Sequence, residues 1–192
     1  MSKINDELIN SLKRVNFAFR NQDVSTECVK DHAGFSLFGK QLGPFEKGKN
    51  YRLKLFLAIP FIEHSILKIQ SSEKCDNIDV QRYALAERDA QQLIRQDTNY
   101  FLNKIKEFRK FMEKDILDDI KPRRDLENFN SYLMNIIDHR LLKILKLTKT
   151  DLSLDDERRL TNSEQVLFNR IHEVVNTWRN FYLMADNAKK NN

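Results

Sequence analysis

Four histidines, two cysteines and two runs of carboxylates are the side chains of this sequence best suited to chemistry. His32, His64, His139 and His172 are scattered, and none sits in the His-Glu-x-x-His spacing that puts two imidazoles on one helix face for zinc. Cys28 and Cys75 fit no metal spacing and are expected to be free thiols. Asp118-Asp119 and Asp155-Asp156-Glu157 lack the alternating oxygen ligands of a calcium loop and read as solvated loops or helix ends. The four glycines, Gly34, Gly39, Gly43 and Gly48, lie within fifteen residues of each other. Their spacing matches neither a phosphate loop nor a dinucleotide fingerprint, and no Gly-x-Ser-x-Gly elbow occurs. The expectation is therefore a protein that is not an enzyme and holds no metal or cofactor.

The glycines make sense as turn chemistry. Glycine reaches positive φ without a Cβ clash, and proline presets φ near −65°. Between and around them, residues 24–30, 34–38, 51–54 and 66–70 have strand composition or alternate apolar with polar residues. A short helix is expected over Leu55–Ser65, beginning near Ala58 so that Pro60 falls in its first turn. Ahead of this lies an amphipathic pattern, with Ile4, Leu8, Leu12, Val15 and Phe19 at helical spacing. Residues 71–77 are polar and read as a linker. The remainder carries helical patterns over 79–95, 98–117 and 124–148, an acidic loop at 151–157, and a final helix after Thr161. Thr161 and Glu164 have capping-box spacing, in which the Thr hydroxyl accepts the Glu164 N–H and the carboxylate accepts the Thr161 N–H. Leu167, Ile171, Val174, Trp178 and Phe181 are expected to form that helix's buried stripe. A Lys/Asn tail closes the sequence at 187–192. The fold class expected is α+β: a small N-terminal β-rich domain followed by an all-α helical domain. The first domain takes residues 1–72, with the N-terminal helix, and the second takes residues 73–192.

Lys and Arg outnumber Asp and Glu by 33 to 28, a net charge of +5. Residues 1–72 carry 11 Lys/Arg against 7 Asp/Glu, whereas residues 73–192 carry 22 against 21. So even a balance in the helical part argues against a protein that coats DNA. Arg140, Lys143, Lys146 and Lys149 form a candidate basic ridge, with Arg140, Lys143 and Lys146 the candidate contacts to an acidic partner or DNA. The longest apolar run, Leu55–Ile62, is eight residues, and a membrane span needs about 20. Asp6 and Glu7 stand where an export signal would be apolar, so an intracellular protein is expected.

The stretch FSLFGKQLGPFEKGKNYRLKLFLAIPFIEHSILKI, Phe35–Ile69, resembles the small β-rich domain of GINS subunits. Gly43-Pro44-Phe45 with Gly48, and Leu57-Ala58, occupy the places of that domain's turn and short helix. Tyr100-Phe101, Ile137-Asp138-His139-Arg140 with Lys143-Ile144, and Leu160-Thr161 with Glu164 and Leu167-Phe168 resemble successive motifs of the helical GINS domain. The order of domains is that of the class containing the eukaryotic Psf two and Psf three proteins and their archaeal counterpart, the archaeal form being the nearer in compactness.

What the resemblance implies is a non-catalytic scaffold. Its partners would be other GINS subunits, the MCM helicase and a RecJ-like (Cdc-type) protein, with primase or polymerase in some lineages, weak or no direct DNA binding, and no membrane. The location would be the archaeal cytoplasm and nucleoid, or the nucleus in a eukaryote. Phe101, Phe108, Ile137, Leu141, Ile144, Leu145, Leu167, Ile171 and Trp178 are the candidate subunit-interface residues, because the 124–148 helix is apolar on more than one face. Gly43, Pro44, Phe45 and Gly48 are the candidate turn of a docking module. Two alternatives stand beside this reading: a nucleic-acid-binding regulator that uses the basic first region, and an enzyme working through His139 or Asp138.

Overall fold

The structure, a computed structural model, describes residues 3–37, 39–73 and 75–183. The Lys/Asn tail lies outside the described residues. The chain begins with a helix, α1 (Lys3–Arg20), so the expected architecture with a β-rich domain first is corrected. Strands follow: β1 (Asp23–Cys28), β2 (Phe35–Leu37), β3 (Lys40–Leu42) and β4 (Asn50–Lys54). Helix α2 (Leu55–Glu63) and strand β5 (Leu67–Ile69) complete this part. Helices α3 (Asn77–Asp89), α4 (Phe101–Leu117), α5 (Arg123–Leu147), α6 (Leu154–Arg159) and α7 (Asn162–Leu183) form the rest.

Two small antiparallel sheets carry the strand residues, one in the order β4-β1-β5 and one pairing β2 with β3. In β1, Val24, Thr26 and Cys28 alternate inward, as a strand with one covered face must. Helix α2 covers that face with Leu55, Ala58 and Phe61, three residues apart each time. This anchoring starts α2 at Leu55, earlier than expected, and leaves Pro60 inside the helix. Around Phe45, the rings of Phe61 and Tyr51 pack edge-on, with centroids 4.8 and 5.0 Å away. Two glycines have a steric reason to be there. A Cβ on Gly43 (φ +101°) would lie 2.6 Å from the Cα of Gly34, and one on Gly34 (φ +82°) would lie 2.0 Å from the Leu42 carbonyl oxygen.

Turn chemistry is not confined to the glycine window. Helices α2 and α4 both end with a non-glycine residue at positive φ, Ser65 at 55° and Asp119 at 56°. Each end is a Schellman motif. The Ile66 and Ile120 N–H groups reach back to the carbonyls of Phe61 and Asp115, both at 2.8 Å. The Ser65 and Asp119 N–H groups bond to Ile62 and Ile116. Glycine would relieve the left-handed conformation but enlarge the unfolded ensemble. We expect Ser65→Gly to gain about 0.5–1 kcal/mol net, read as a rise in Tm of about 1–3 °C. An unchanged or lower Tm would show that Ser65 carries a compensating contact.

Two features join the sheet part to the helices. First, Phe19 of α1, Leu55 and Ala58 of α2 and Ile69 of β5 share a core with Tyr100, Phe108 and Phe111. Burying each large side chain in that seam contributes about 2–3 kcal/mol. Second, α1 is tied to α4 by charge. Arg20 grips the buried Glu107 through Nε (3.2 Å) and Nη2 (3.0 Å), and Asn16 donates to the same carboxylate at 3.2 Å. Burial alone would raise the Glu107 pKa, but the Arg20 and Asn16 hydrogen bonds and the Lys110 charge outweigh it and hold the group below the usual carboxylate value. Arg170 of α7 reaches Glu7 of α1 at 2.7 Å. The polar segment after β5 is also packed. It makes a single 3-10 turn at Ser71–Glu73 and then buries Cys75 in the core of α3, α4 and α5, where loss of solvent pushes the thiol up to about 12. A thiol so protonated is a poor nucleophile.

Candidate interaction surface

The expected basic ridge divides. Arg140 is 1% exposed and lies at the centre of the helical part. The expectation that it meets a partner or DNA is corrected by where α5 puts it. Arg140 falls four residues after Ile136 and four before Ile144, on the helix's buried face. Its guanidinium uses all five N–H donors. Nε and Nη2 form a two-pronged contact with the Glu164 carboxylate (2.5 and 2.7 Å). Nη1 donates to Glu87 Oε2 (2.8 Å) and the Ile94 carbonyl (3.0 Å), and Nη2 also donates to the Arg159 carbonyl (3.0 Å). Burial alone would lower the guanidinium pKa, but Glu164 and Glu87 overcome it and hold Arg140 above its ordinary value.

Lys143 is drawn into the same knot. Its Nζ donates to Glu87 Oε1 (2.6 Å), the Glu87 carbonyl (2.5 Å) and the Gln92 carbonyl (3.2 Å). Two cations and two carboxylates thus close a neutral cluster that ties α3, α5 and α7 together. The segment after Asp89 leaves the expected helical path here and offers its carbonyls to Arg140 and Lys143. The capping box also differs from expectation. Glu164 accepts the Thr161 N–H at 2.8 Å as expected, but the Thr161 hydroxyl donates to the same carboxylate (2.9 Å) instead of accepting from Glu164. The acidic loop contains α6, capped by Ser153, whose hydroxyl accepts the Asp156 N–H at 3.1 Å. Of the three basic candidates, Lys146 alone is exposed.

The apolar candidates divide as well. Phe101 and Ile144 are core residues, and Phe108 fills the seam with the sheets. Leu141, Leu167 and Ile171 are half-buried within the chain. Ile137, Leu145 and Trp178 are exposed. Along α5, Met134, Ile137, Leu142 and Leu145 follow helical spacing and form an outward apolar stripe about 16 Å long at 1.5 Å per residue, with the half-buried Leu141 among them. The predicted buried stripe of α7 fails in its second half: Val174, Trp178 and Phe181 are exposed. The cause is length. The α7 helix runs antiparallel to α1, with Arg170 opposite Glu7, and alongside the end of α5, where His172 meets the Thr148 carbonyl (3.3 Å). Both neighbours stop near that level, and α7 continues beyond them.

The turn candidates take structural positions. Phe45 is buried in the sheet core, and Gly43 meets Gly34 backbone to backbone. His139 and Asp138, the residues named for an enzyme, sit on the outer side of α5, where His139 Nδ1 lies 2.7 Å from the Asn135 carbonyl. A polar cavity of about 270 Å³ near Cys75 is lined by Arg82 paired to Asp79 at 3.1 Å, by Tyr83, whose hydroxyl donates to Asp97 at 2.8 Å, and by Lys104. Among the described residues, no cluster of three or more His, Cys, Asp or Glu could hold a metal, and no helix is long and apolar enough to cross a membrane.

No family model and no curated protein matches this chain. The resemblance to GINS subunits therefore rests on the order of short motifs, and sequence reasoning could not separate Arg140 from Lys146. One signal was available: Arg140 shares the helical register of the buried Ile136 and Ile144.

Proposed function

We propose that this chain is a non-catalytic assembly subunit of GINS type, a scaffold within a replicative helicase of MCM ring and RecJ-like (Cdc-type) protein. Primase or polymerase would be contacted at a further surface, and the work would be done where DNA is replicated. The observation that carries the reading is the aliphatic stripe of α5. Met134, Ile137, Leu142 and Leu145 present large side chains outward, and Met134 and Leu142 are more than half exposed. Aliphatic stripes without cations mark surfaces that stable partners cover. The helix carrying it is fixed from within by the Arg140 knot, so the stripe is presented on a rigid element. The ordered motifs from Gly43-Pro44-Phe45 to Leu160-Thr161 supply the more specific family assignment.

The regulator reading through the first region has less support: in the β4-β1-β5 sheet, Lys54 and Arg52 face Asp23 at 2.8 and 3.9 Å, and Lys68 faces Glu27 at 3.2 Å, so these three cations are met by the sheet's own carboxylates.

Co-expression with a helix-first GINS subunit should give a stable tetramer by native mass measurement. Leu142→Glu should leave the chain folded and abolish that assembly. A wild-type chain that remains a monomer beside such a partner would defeat the proposal.

A further inference from the structure

The overhanging end of α7 differs in chemistry from the α5 stripe. Trp178, Phe181 and Tyr182 are 63%, 78% and 68% exposed. They touch one another edge-on: Trp178 to Tyr182 with centroids 5.2 Å apart, and Phe181 to Tyr182 at 5.1 Å. This is an aromatic cluster with its outer faces uncovered.

Cations border it. Arg179, one residue past Trp178, donates from Nη1 to the Lys149 carbonyl at 2.7 Å, which holds the end of α5 against this part of α7. Lys146 and Lys149 lie at that end and are exposed. Among the described residues, Lys146, Lys149 and Arg179 form no ion pair with a carboxylate, unlike Arg140, Lys143 and the lysines of the sheet. Glu173 is engaged by Arg170 at 3.3 Å, and Asp151 lies 3.8 Å from His172. Among the described residues, the surface thus joins exposed aromatic faces to three cations without carboxylate partners.

From this juxtaposition we infer that the end of α7 and the end of α5 form a binding site for single-stranded nucleic acid. Unpaired bases stack on aromatic rings regardless of sequence, and neighbouring cations track the phosphates. A duplex hides its base faces and offers only phosphate. A purely apolar protein partner would leave the three cations unused. The aromatic part of the site lies on α7, apart from the α5 stripe that Lys146 borders, and the inference does not rest on the GINS reading.

The chain has one tryptophan, and it stands in the site, so its fluorescence reads occupancy directly. The full chain is titrated with a 20-nucleotide oligothymidylate and, separately, with a 20-base-pair duplex. The single strand should quench Trp178 emission with a Kd of about 10⁻⁴–10⁻⁶ M near physiological salt. Contact with three phosphates sets a slope of log K against log salt of about −2. The duplex should bind at least about tenfold more weakly. Tyr182→Ala keeps the tryptophan and should weaken single-strand binding about tenfold, and Lys149→Glu should flatten the salt slope. Both side chains are exposed, so circular dichroism should be unchanged. Met134→Glu, at the far end of the α5 stripe, should leave quenching intact, which separates this site from the assembly surface. No quenching, or equal binding of strand and duplex, overturns the inference. So does self-association that buries Trp178 without nucleic acid, since the aromatics would then belong to a protein contact.

Discussion

Arg140→Met should destabilise the chain by about 3–5 kcal/mol, the largest loss expected from any single substitution in the helical part. Met keeps the aliphatic stem but not the guanidinium head, so the void is small and most of the loss is electrostatic. It comes from carboxylates left in the interior without their counter-charge. Glu164 would lose both prongs of the guanidinium, and Glu87 would retain only Lys143 and a long bond from the Ile94 N–H at 3.4 Å. The Ile94 and Arg159 carbonyls would lose their donor at the same time. Urea denaturation followed by circular dichroism measures the difference. Adding Glu164→Gln to Arg140→Met should recover part of the loss, because the amide removes the uncompensated charge. A cost under about 1 kcal/mol would mean that water or rearranged lysines reach the site and that the knot is not sealed.

Gly43→Val should be comparably severe, about 3–5 kcal/mol, but in the sheet part. Two penalties combine. A branched residue at φ +101° costs about 1–3 kcal/mol. Its Cβ would lie 2.6 Å from the Gly34 Cα, an overlap with backbone that no rotamer relieves. Gly48→Ala is the control. Gly48 also has positive φ, 82°, but open space where a Cβ would go, so only the conformational cost remains, about 1–2 kcal/mol. Hydrogen exchange should show protection lost first around β2, β3 and the Phe45 cluster in Gly43→Val. The helical core around Phe129 and Ile136 should keep its protection. The shared seam of Phe19, Phe108 and Phe111 means that the loss reaches α4 in weakened form, so the two parts are not fully independent modules. Equal loss across both parts would indicate a single cooperative unit.

Strands such as β1 and β4 were legible because they declare themselves by alternation, whereas the three-residue β3 between Gly39 and Gly43 was too short to show one and was not expected. The long helices α4 and α5 were legible to within a few residues because Ile105, Met112, Phe129 and Ile144 repeat at helical spacing. What was not legible required partners distant in sequence. Nothing local tells that Arg140 finds Glu164 and Glu87, which lie 24 and 53 residues away. The exposure of Trp178 and Phe181 depends on where α1 and α5 stop, and a helical stripe has the same spacing whether or not a neighbour covers it. The place of α1 was missed for a related reason. Its amphipathic pattern announces a helix, but not that Asn16 and Arg20 converge on Glu107.

The contact between Glu7 and Arg170 spans 163 residues. A chain made from its N-terminus exposes α1 well before α7, the helix against which it docks. Until then the apolar side of α1, with Leu8, Leu12, Val15 and Phe19, has only α2, the β1 sheet and later α4 for company. Contacts of such separation close slowly, because a long loop must be ordered before they form. Docking of α1 on α7 is thus set to be a late event, and during synthesis that waiting helix is the part most in need of shielding from aggregation.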